Sequence, residues 1–371
     1  MTISSLEEQQ DLRRTVRAFL ETKSPETEVR RLMETREGYD PDVWQQLGTQ
    51  LGLLGLTIPE ELGGSGTSFV ELCIAMEEMG AALLCAPYFS TVVLASTTLL
   101  QAADAAMQKE YLPLIAAGEL IATIALTEES GRWDESGVAM RASKSGVEWK
   151  LDGTKMFVLD GCTADLVITC ARTDAGISLF AVDASAPGLT RTSMNTMDRT
   201  RKQARLEFRG APGRLIGAEG TGWKVLGQVL DLAAIALAAE QVGGTQRCLD
   251  MALTHARNRI QFGRPIGSFQ AIKHKCSNIL IGLESAKSAV YHAASCAAES
   301  SSEVPVMASL AKAHCSDTFF HAAAENIQIH GGIGFTWEHS AHLYFKRAKA
   351  SEVLFGDGIY HREQLAQRIG I

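Results

Sequence analysis

The chain has 371 residues, 46% of them apolar and 21% charged, with a net charge of −8. That length suits two or three structural units around a sizeable core, and the acidic balance provides no basic footprint for nucleic acid. The N-terminus carries neither a basic nor an apolar leader-like segment, and no apolar run is read as approaching the ~20 residues that cross a bilayer. A cytoplasmic protein without a membrane span is therefore expected.

The first third is helical by pattern. Ser5-Leu-Glu-Glu8 has the form of a capping box, and apolar residues recur at Leu12, Val16, Phe19 and Leu20, the spacing of one helix face. Glycine density makes Pro59–Gly66 a loop, after which Ser68-Phe-Val-Glu71 opens a further helix running toward Leu84. From Ile121 the signals become strand-like: 121–126, 147–151, 166–170 and 177–182. Turn pairs such as Asp152-Gly153, Asp160-Gly161 and Pro187-Gly188 separate them, which predicts a compact antiparallel β unit. After Gly222, long Ala- and Leu-rich runs (229–254, 272–298, 307–329) predict a bundle of long helices packed through small residues.

The expected class is α+β, with a helical domain over 1–120, a β domain over 121–218 and a four-helix bundle over 219–371. Eight cysteines are scattered through the chain, with no Cys-x-x-Cys pair and no evident His/Cys metal spacing. Buried thiols in a reducing compartment, and no metal, are expected.

Two stretches break the helical pattern of the last third. Arg257-Asn-Arg-Ile-Gln-Phe-Gly-Arg-Pro-Ile-Gly-Ser-Phe-Gln270 is an Arg-rich turn punctuated by Gly and Pro, with helix resuming at Ser268. The second is Gln328-Ile-His-Gly-Gly-Ile-Gly-Phe-Thr-Trp-Glu-His339. With the helix–β–helix order, the glycine-rich loop at 59–66, the phrase Glu110-Tyr-Leu-Pro-Leu-Ile-Ala-Ala-Gly-Glu119 and Leu126-Thr127-Glu128, they resemble the acyl-CoA dehydrogenase family over essentially the whole chain.

The resemblance implies FAD held between the β domain and the C-terminal bundle, an acyl-CoA substrate, and an electron-transfer flavoprotein or equivalent acceptor. It implies a tetramer in which both stretches serve the flavin of a neighbouring subunit. Arg259, Gln261 and Phe262 match the diphosphate and adenine contacts, where Arg offers a planar multi-donor fork. Gln328, Gly331 and Gly332 match a segment whose backbone lies close to the adenosine end. Leu126, Thr127 and Phe157 match the chain's own isoalloxazine contacts. His330 and His339 read as structural or surface residues.

The chain also departs from the family pattern. The base that removes the α proton is a Glu in the family, after an aromatic residue near the C-terminus or on the first helix of the last domain. Those two places are Gly356 and Ala233 here. Trp133 and Leu159 replace a Ser and a Thr of the flavin-side motifs, and Gly358 replaces the Thr after Glu-Gly. Segments that would serve a neighbour's flavin are kept, whereas the chain's own flavin contacts and base are changed. The expectation is a non-catalytic partner in a heterotetramer, resembling two-gene bacterial enzymes of steroid degradation. One alternative is a self-sufficient homotetramer with its base relocated to Asp357 or Asp231. Two others are a flavin-dependent oxygenase on the same fold and a non-catalytic acyl-CoA-binding scaffold.

Overall fold

The computed structural model describes residues 4–146 and 148–371, so Val147, at the head of one expected strand, lies outside the described residues. The chain divides into two compact units that do not follow chain order. One gathers 31–67 and 85–233; the other gathers the N-terminal residues to Arg30, 68–84 and 234–371.

The first unit is built on a seven-stranded sheet: β1 (Ala122–Ala125), β2 (Arg141–Ser145), β3 (Glu148–Leu159), β4 (Leu166–Thr173), β5 (Gly176–Asp183), β6 (Leu189–Ser193) and β7 (Gln203–Ile216). Its pairings β4–β2, β2–β3, β3–β7, β7–β5 and β5–β4 close the sheet on itself, with β6 on β7 and β1 on β4. Most of these ladders are antiparallel, as expected, but β1 runs parallel to β4 (Ala122 opposite Leu166) and β2 meets β4 in parallel. Asp152-Gly153, expected as a turn, lies within β3, where a register shift between Leu151 and Asp152 absorbs it. Glycine is required there because a Cβ would come within 2.8 Å of Met140 Cγ.

Alternation places Leu151, Val167, Phe180, Leu206 and Phe208 in one core, with Trp149 meeting Phe180 edge-on at 5.4 Å. All four residues of β1 are buried. A π-helical segment, Phe89–Ser96, lies against it, and Thr91 Oγ1 donates to the Ala122 carbonyl (3.0 Å). Helices α3 (Pro41–Thr49), α5 (Thr97–Gln101) and α6 (Ala105–Ala116) complete this unit; Trp44 Nε1 on α3 donates to the Gly118 carbonyl (3.1 Å). The short α2 (Glu26–Glu34) spans the boundary between the units.

The second unit is helical: α1 (Leu6–Lys23), α4 (Phe69–Ala81), α7 (Gly222–Asn258) from Ala234 onward, α8 (Gln270–Ala298), α9 (Val304–His330), α10 (Ala341–Val353) and α11 (Gly358–Arg368). The expected capping box joins Ser5 and Glu8 on α1, and a second one joins Ser68 and Glu71 on α4, where a helix start was expected. α4 is buried from Phe69 to Gly80. It reaches α7 through reciprocal glycines: a Cβ on Gly80 would overlap the Glu240 carbonyl, and one on Gly243 the Glu77 carbonyl. α10 is pinned to α7 by a buried Arg347–Glu240 ion pair (3.1 Å). Contrary to the sequence expectation, α7 is long and apolar enough to cross a membrane by length and composition. Two-thirds of its most apolar stretch (67%) is buried inside the protein, as in the core helix of a bundle. All eight cysteines are free, and all but Cys162 are buried.

Candidate functional site

The Arg-rich stretch forms a miniature hairpin projecting from the end of α7. β8 (Ile260–Gln261) pairs with β9 (Arg264–Pro265) across a two-residue turn. Phe262 (φ 53°) and Gly263 (φ 75°) both have positive φ, as a type I′ turn demands. A left-handed Phe is an uncommon choice, and its ring is 90% exposed. It meets Phe269 edge-on at 6.0 Å, while the Arg264 guanidinium stacks 4.1 Å over Phe269. Arg259, at the hairpin's root, holds the turn through its carbonyl, which accepts from Ile266 N (2.8 Å). Its side chain is exposed, and its guanidinium has no hydrogen-bonded partner among the described residues. The Gln261 amide, also exposed, returns to the Ile260 carbonyl (2.9 Å).

The second stretch ends α9. Gln328 is exposed, and Gly331 (φ 69°) turns the chain out of the helix. A Cβ at Gly331 or Gly332 would meet nothing within 4 Å, so this backbone faces open space. Exposed Ile333, Phe335 and Trp337 continue the face.

Three imidazoles join the roots of these stretches. His255 on the last turn of α7, His330 ending α9 and His339 stack in series, with centroids 4.2 Å apart at each step. His330 Nδ1 lies 2.8 Å from the Asn326 carbonyl, and His339 Nδ1 accepts from Ala341 N (3.1 Å). Burial, then the neighbouring imidazoles, lowers the pKa of His255; burial and His330 do the same for His339. His330 and His339, expected as structural or surface residues, are thus engaged by backbone partners and by each other's rings. The stack they form with His255 was not foreseen, because its members are 75 and 9 residues apart in sequence.

In the first unit, Leu126 and Thr127 follow β1 and are half-buried, and the Thr127 carbonyl accepts from Met156 N (2.8 Å). Phe157 (φ 56°) stands on an irregularity of β3 and is 48% exposed. Behind them sits a buried ion pair missed in the sequence. Lys155, fully buried, donates to Glu128 Oε1 (2.7 Å) and to the Leu126 carbonyl (3.2 Å), and Glu128 also accepts from Ala139 N (2.8 Å) and Met140 N (3.1 Å). Leu159 is buried and Trp133 half-buried.

Neither position expected for the base holds a carboxylate. Ala233 is buried within α7, and Asp231, two residues earlier, is half-buried. Gly356 (φ 101°) is buried, and a Cβ there would run into the ring of Tyr360. Asp357 is the N-cap of α11, its Oδ1 accepting from Tyr360 N (2.8 Å). Its carboxylate is thus committed to a helix start. The neighbouring loop is locked by Lys312, fully buried, which donates to the Glu352 (2.9 Å) and Gly356 (3.1 Å) carbonyls. Burial pushes the Lys312 pKa down to about 8.

Models of the acyl-CoA dehydrogenase N-terminal, middle and C-terminal domains match residues 6–119, 123–211 and 220–370 in turn. The chain belongs to the acyl-CoA dehydrogenase family. It is thereby an oxidoreductase of the class that acts on CH–CH bonds. It is 35% identical to the acyl-CoA dehydrogenase IpdE2 of Mycolicibacterium smegmatis, covering 97% of both chains. Among solved structures it is similar to a chain of the ChsE4–ChsE5 complex from Mycobacterium tuberculosis (TM-score 0.90, 28% identity, 100% and 99% covered). It is also similar to a chain of a variant of the Tcur3481–Tcur3483 steroid ACAD (TM-score 0.88, 28% identity, 98% of both chains covered).

Acyl-CoA dehydrogenases typically use FAD, and the two segments carry groups of the kind it needs. The Arg259–Phe262 hairpin and the Gly331–Gly332 turn fit a dinucleotide: a free guanidinium, an exposed aromatic face and a backbone that no side chain shields. At Gly356, one of the two positions expected for the base, there is no carboxylate, and Tyr360 fills the space a side chain there would leave through.

Proposed function

We propose that this acyl-CoA dehydrogenase is the subunit of a heterotetramer that lacks the catalytic Glu and completes the FAD site of a partner subunit. The observation that carries this reading is the contrast between an exposed, unpaired Arg259–Phe262 hairpin and a base position closed by Gly356 and Tyr360. An enzyme that removes an α proton needs a base beside the thioester, and this chain has Gly and Ala where the family carries it. The likeness to a chain of the two-component ChsE4–ChsE5 complex supports the same reading.

In this assembly Arg259 neutralises diphosphate charge, Phe262 offers an apolar face to the adenine, and Gln328 with the Gly331–Gly332 amides borders the adenosine end. Leu126, Thr127 and Phe157 are the chain's remaining residues of the isoalloxazine type. Bound FAD would supply the hydride acceptor for the β carbon. The partner supplies the Glu, and an electron-transfer flavoprotein or equivalent takes the electrons. A steroid-derived acyl-CoA is the proposed substrate class, supported by the similarity to the steroid ACAD structure.

The test is to produce the chain alone and together with a second acyl-CoA dehydrogenase encoded beside it. Bound flavin and acyl-CoA dehydrogenation are then measured. The proposal expects both only in the complex, and Arg259→Ala should lower the complex's flavin content. A lone chain with full flavin and full turnover would refute it.

A further inference from the structure

The connection between α8 and α9 gathers three side chains of ligand type. α8 ends at Ala298, and Ser300 (φ 53°) turns the chain in the left-handed region. Ser301 N donates to the Cys296 carbonyl (2.9 Å) and Ser300 N to the Ala297 carbonyl (3.2 Å), the paired bonds of a Schellman ending. This reversal carries Glu303, immediately before α9, back over the last turn of α8. Cys296 Sγ then lies 3.8 Å from His292 Nε2 and 3.9 Å from Glu303 Oε2, with all three donor atoms within 4.8 Å of one another. His292 and Cys296 are four residues apart on one helix, so they share a face. The expectation that the cysteines show no His/Cys metal spacing overlooked this pair, because the third ligand arrives only through the turn.

We propose that His292, Cys296 and Glu303 form a binding site for a zinc-class divalent cation that clasps the α8–α9 turn. A hydrogen-bonding account of the cluster is weak, since a thiol has one proton and both sulfur contacts are long. A tetrahedral zinc, with sulfur at about 2.3 Å and imidazole nitrogen at about 2.1 Å, sets those two donors roughly 3.6 Å apart. The two sulfur contacts therefore need to close by only tenths of an ångström, and the imidazole–carboxylate pair from no more than 4.8 Å to about 3.4 Å. One thiolate, one imidazole and one carboxylate suit zinc and its cobalt surrogate, whereas magnesium and calcium prefer oxygen ligands throughout. Cys296 is buried while His292 and Glu303 are exposed, which leaves the outer side open for water as a fourth ligand. Burial, Glu303 and Glu299 hold the thiol protonated in the free protein. A dication reverses that balance: the sulfur–metal bond replaces the S–H bond and one proton leaves to solvent per ion bound. The site is independent of the flavin reading and stands or falls without it.

Cobalt(II) titrated into the full-length chain tests the site. The expected result is a thiolate-to-cobalt charge-transfer band with four-coordinate d–d bands, saturating at one ion per chain and displaced by zinc. Cys296→Ser should abolish the charge-transfer band while the other seven cysteines remain. His292→Ala and Glu303→Gln should each weaken binding about tenfold or more. Zinc should also raise the melting temperature of the wild-type chain and not that of Cys296→Ser. Absence of the band, or its persistence in Cys296→Ser, would overturn the proposal.

Discussion

The ring of Tyr360 occupies the space into which a side chain at Gly356 would have to project. Gly356 also has φ 101°, a conformation that favours glycine. Position 356 is thus incompatible with a Glu in two independent ways.

Gly356→Glu should therefore destabilise the chain rather than restore catalysis. Left-handed strain alone costs about 1–3 kcal/mol, and displacement of the Tyr360 ring adds to it. Thermal melting of the variant should show a clear drop, and the lone variant should not dehydrogenate acyl-CoA. Turnover gained by this single change would contradict the geometry.

Asp357 is engaged as an N-cap, which separates a structural role from a catalytic one. Asn caps nearly as well as Asp, so Asp357→Asn should leave both stability and the turnover of an active complex unchanged, while Asp357→Ala should lose about 1 kcal/mol. A large fall in kcat for Asp357→Asn with normal melting would instead favour a relocated base at this residue.

Glu128 and Lys155 form a buried pair whose partners depend on each other. Lys155→Met strands a buried carboxylate and should destabilise the sheet unit by about 3–5 kcal/mol. Lys155→Met combined with Glu128→Gln should recover part of that loss. Urea unfolding of Lys155→Met, Glu128→Gln and the double variant reads the difference, and additive losses would show that the two groups are not coupled.

Two buried histidines set an acid limit. His361, whose Nε2 lies 3.1 Å from the Phe355 carbonyl, and His342, edge-on to Trp337, are both driven down to a pKa of about 4. Burial is the main cause; Lys312 and Arg368 face His361 and oppose its charging, with Asp357 opposing them. Lys346, Arg30 and His339 act likewise on His342 against Glu26. A depressed pKa means that the unfolded chain takes up protons first as pH falls. The stabilisation is thus complete above the unfolded value of about 6.5 and is lost between there and about 4, by roughly 1 kcal/mol per pH unit for each group. Urea midpoints from pH 7.5 to 5 should fall accordingly, and less steeply in His361→Gln and His342→Gln. Equal slopes in all three proteins would refute the assignment.

Local chemistry made much of this molecule legible in its sequence. Ser5 with Glu8 and Ser68 with Glu71 cap helices because the partners are three residues apart. The Phe262-Gly263 turn and the Gly331-Gly332 helix end likewise depend on near neighbours. Asp152-Gly153 misled because a turn pair can also be absorbed as a strand irregularity, and only the β7 partner strand decides which.

The family resemblance, the helix–β–helix order, and the presence of Ala at 233 and Gly at 356 could all be read from the sequence alone. These are properties of single residues and short spacings. The tertiary structure decided what stands in the vacated places and what holds the retained ones: Tyr360 over Gly356, Lys155 under Leu126, the stack of His255, His330 and His339, and the parallel pairing of β1 with β4. Each joins residues whose proximity follows from packing and chain reversal, and neither composition nor periodicity encodes which distant side chain will fill a given space.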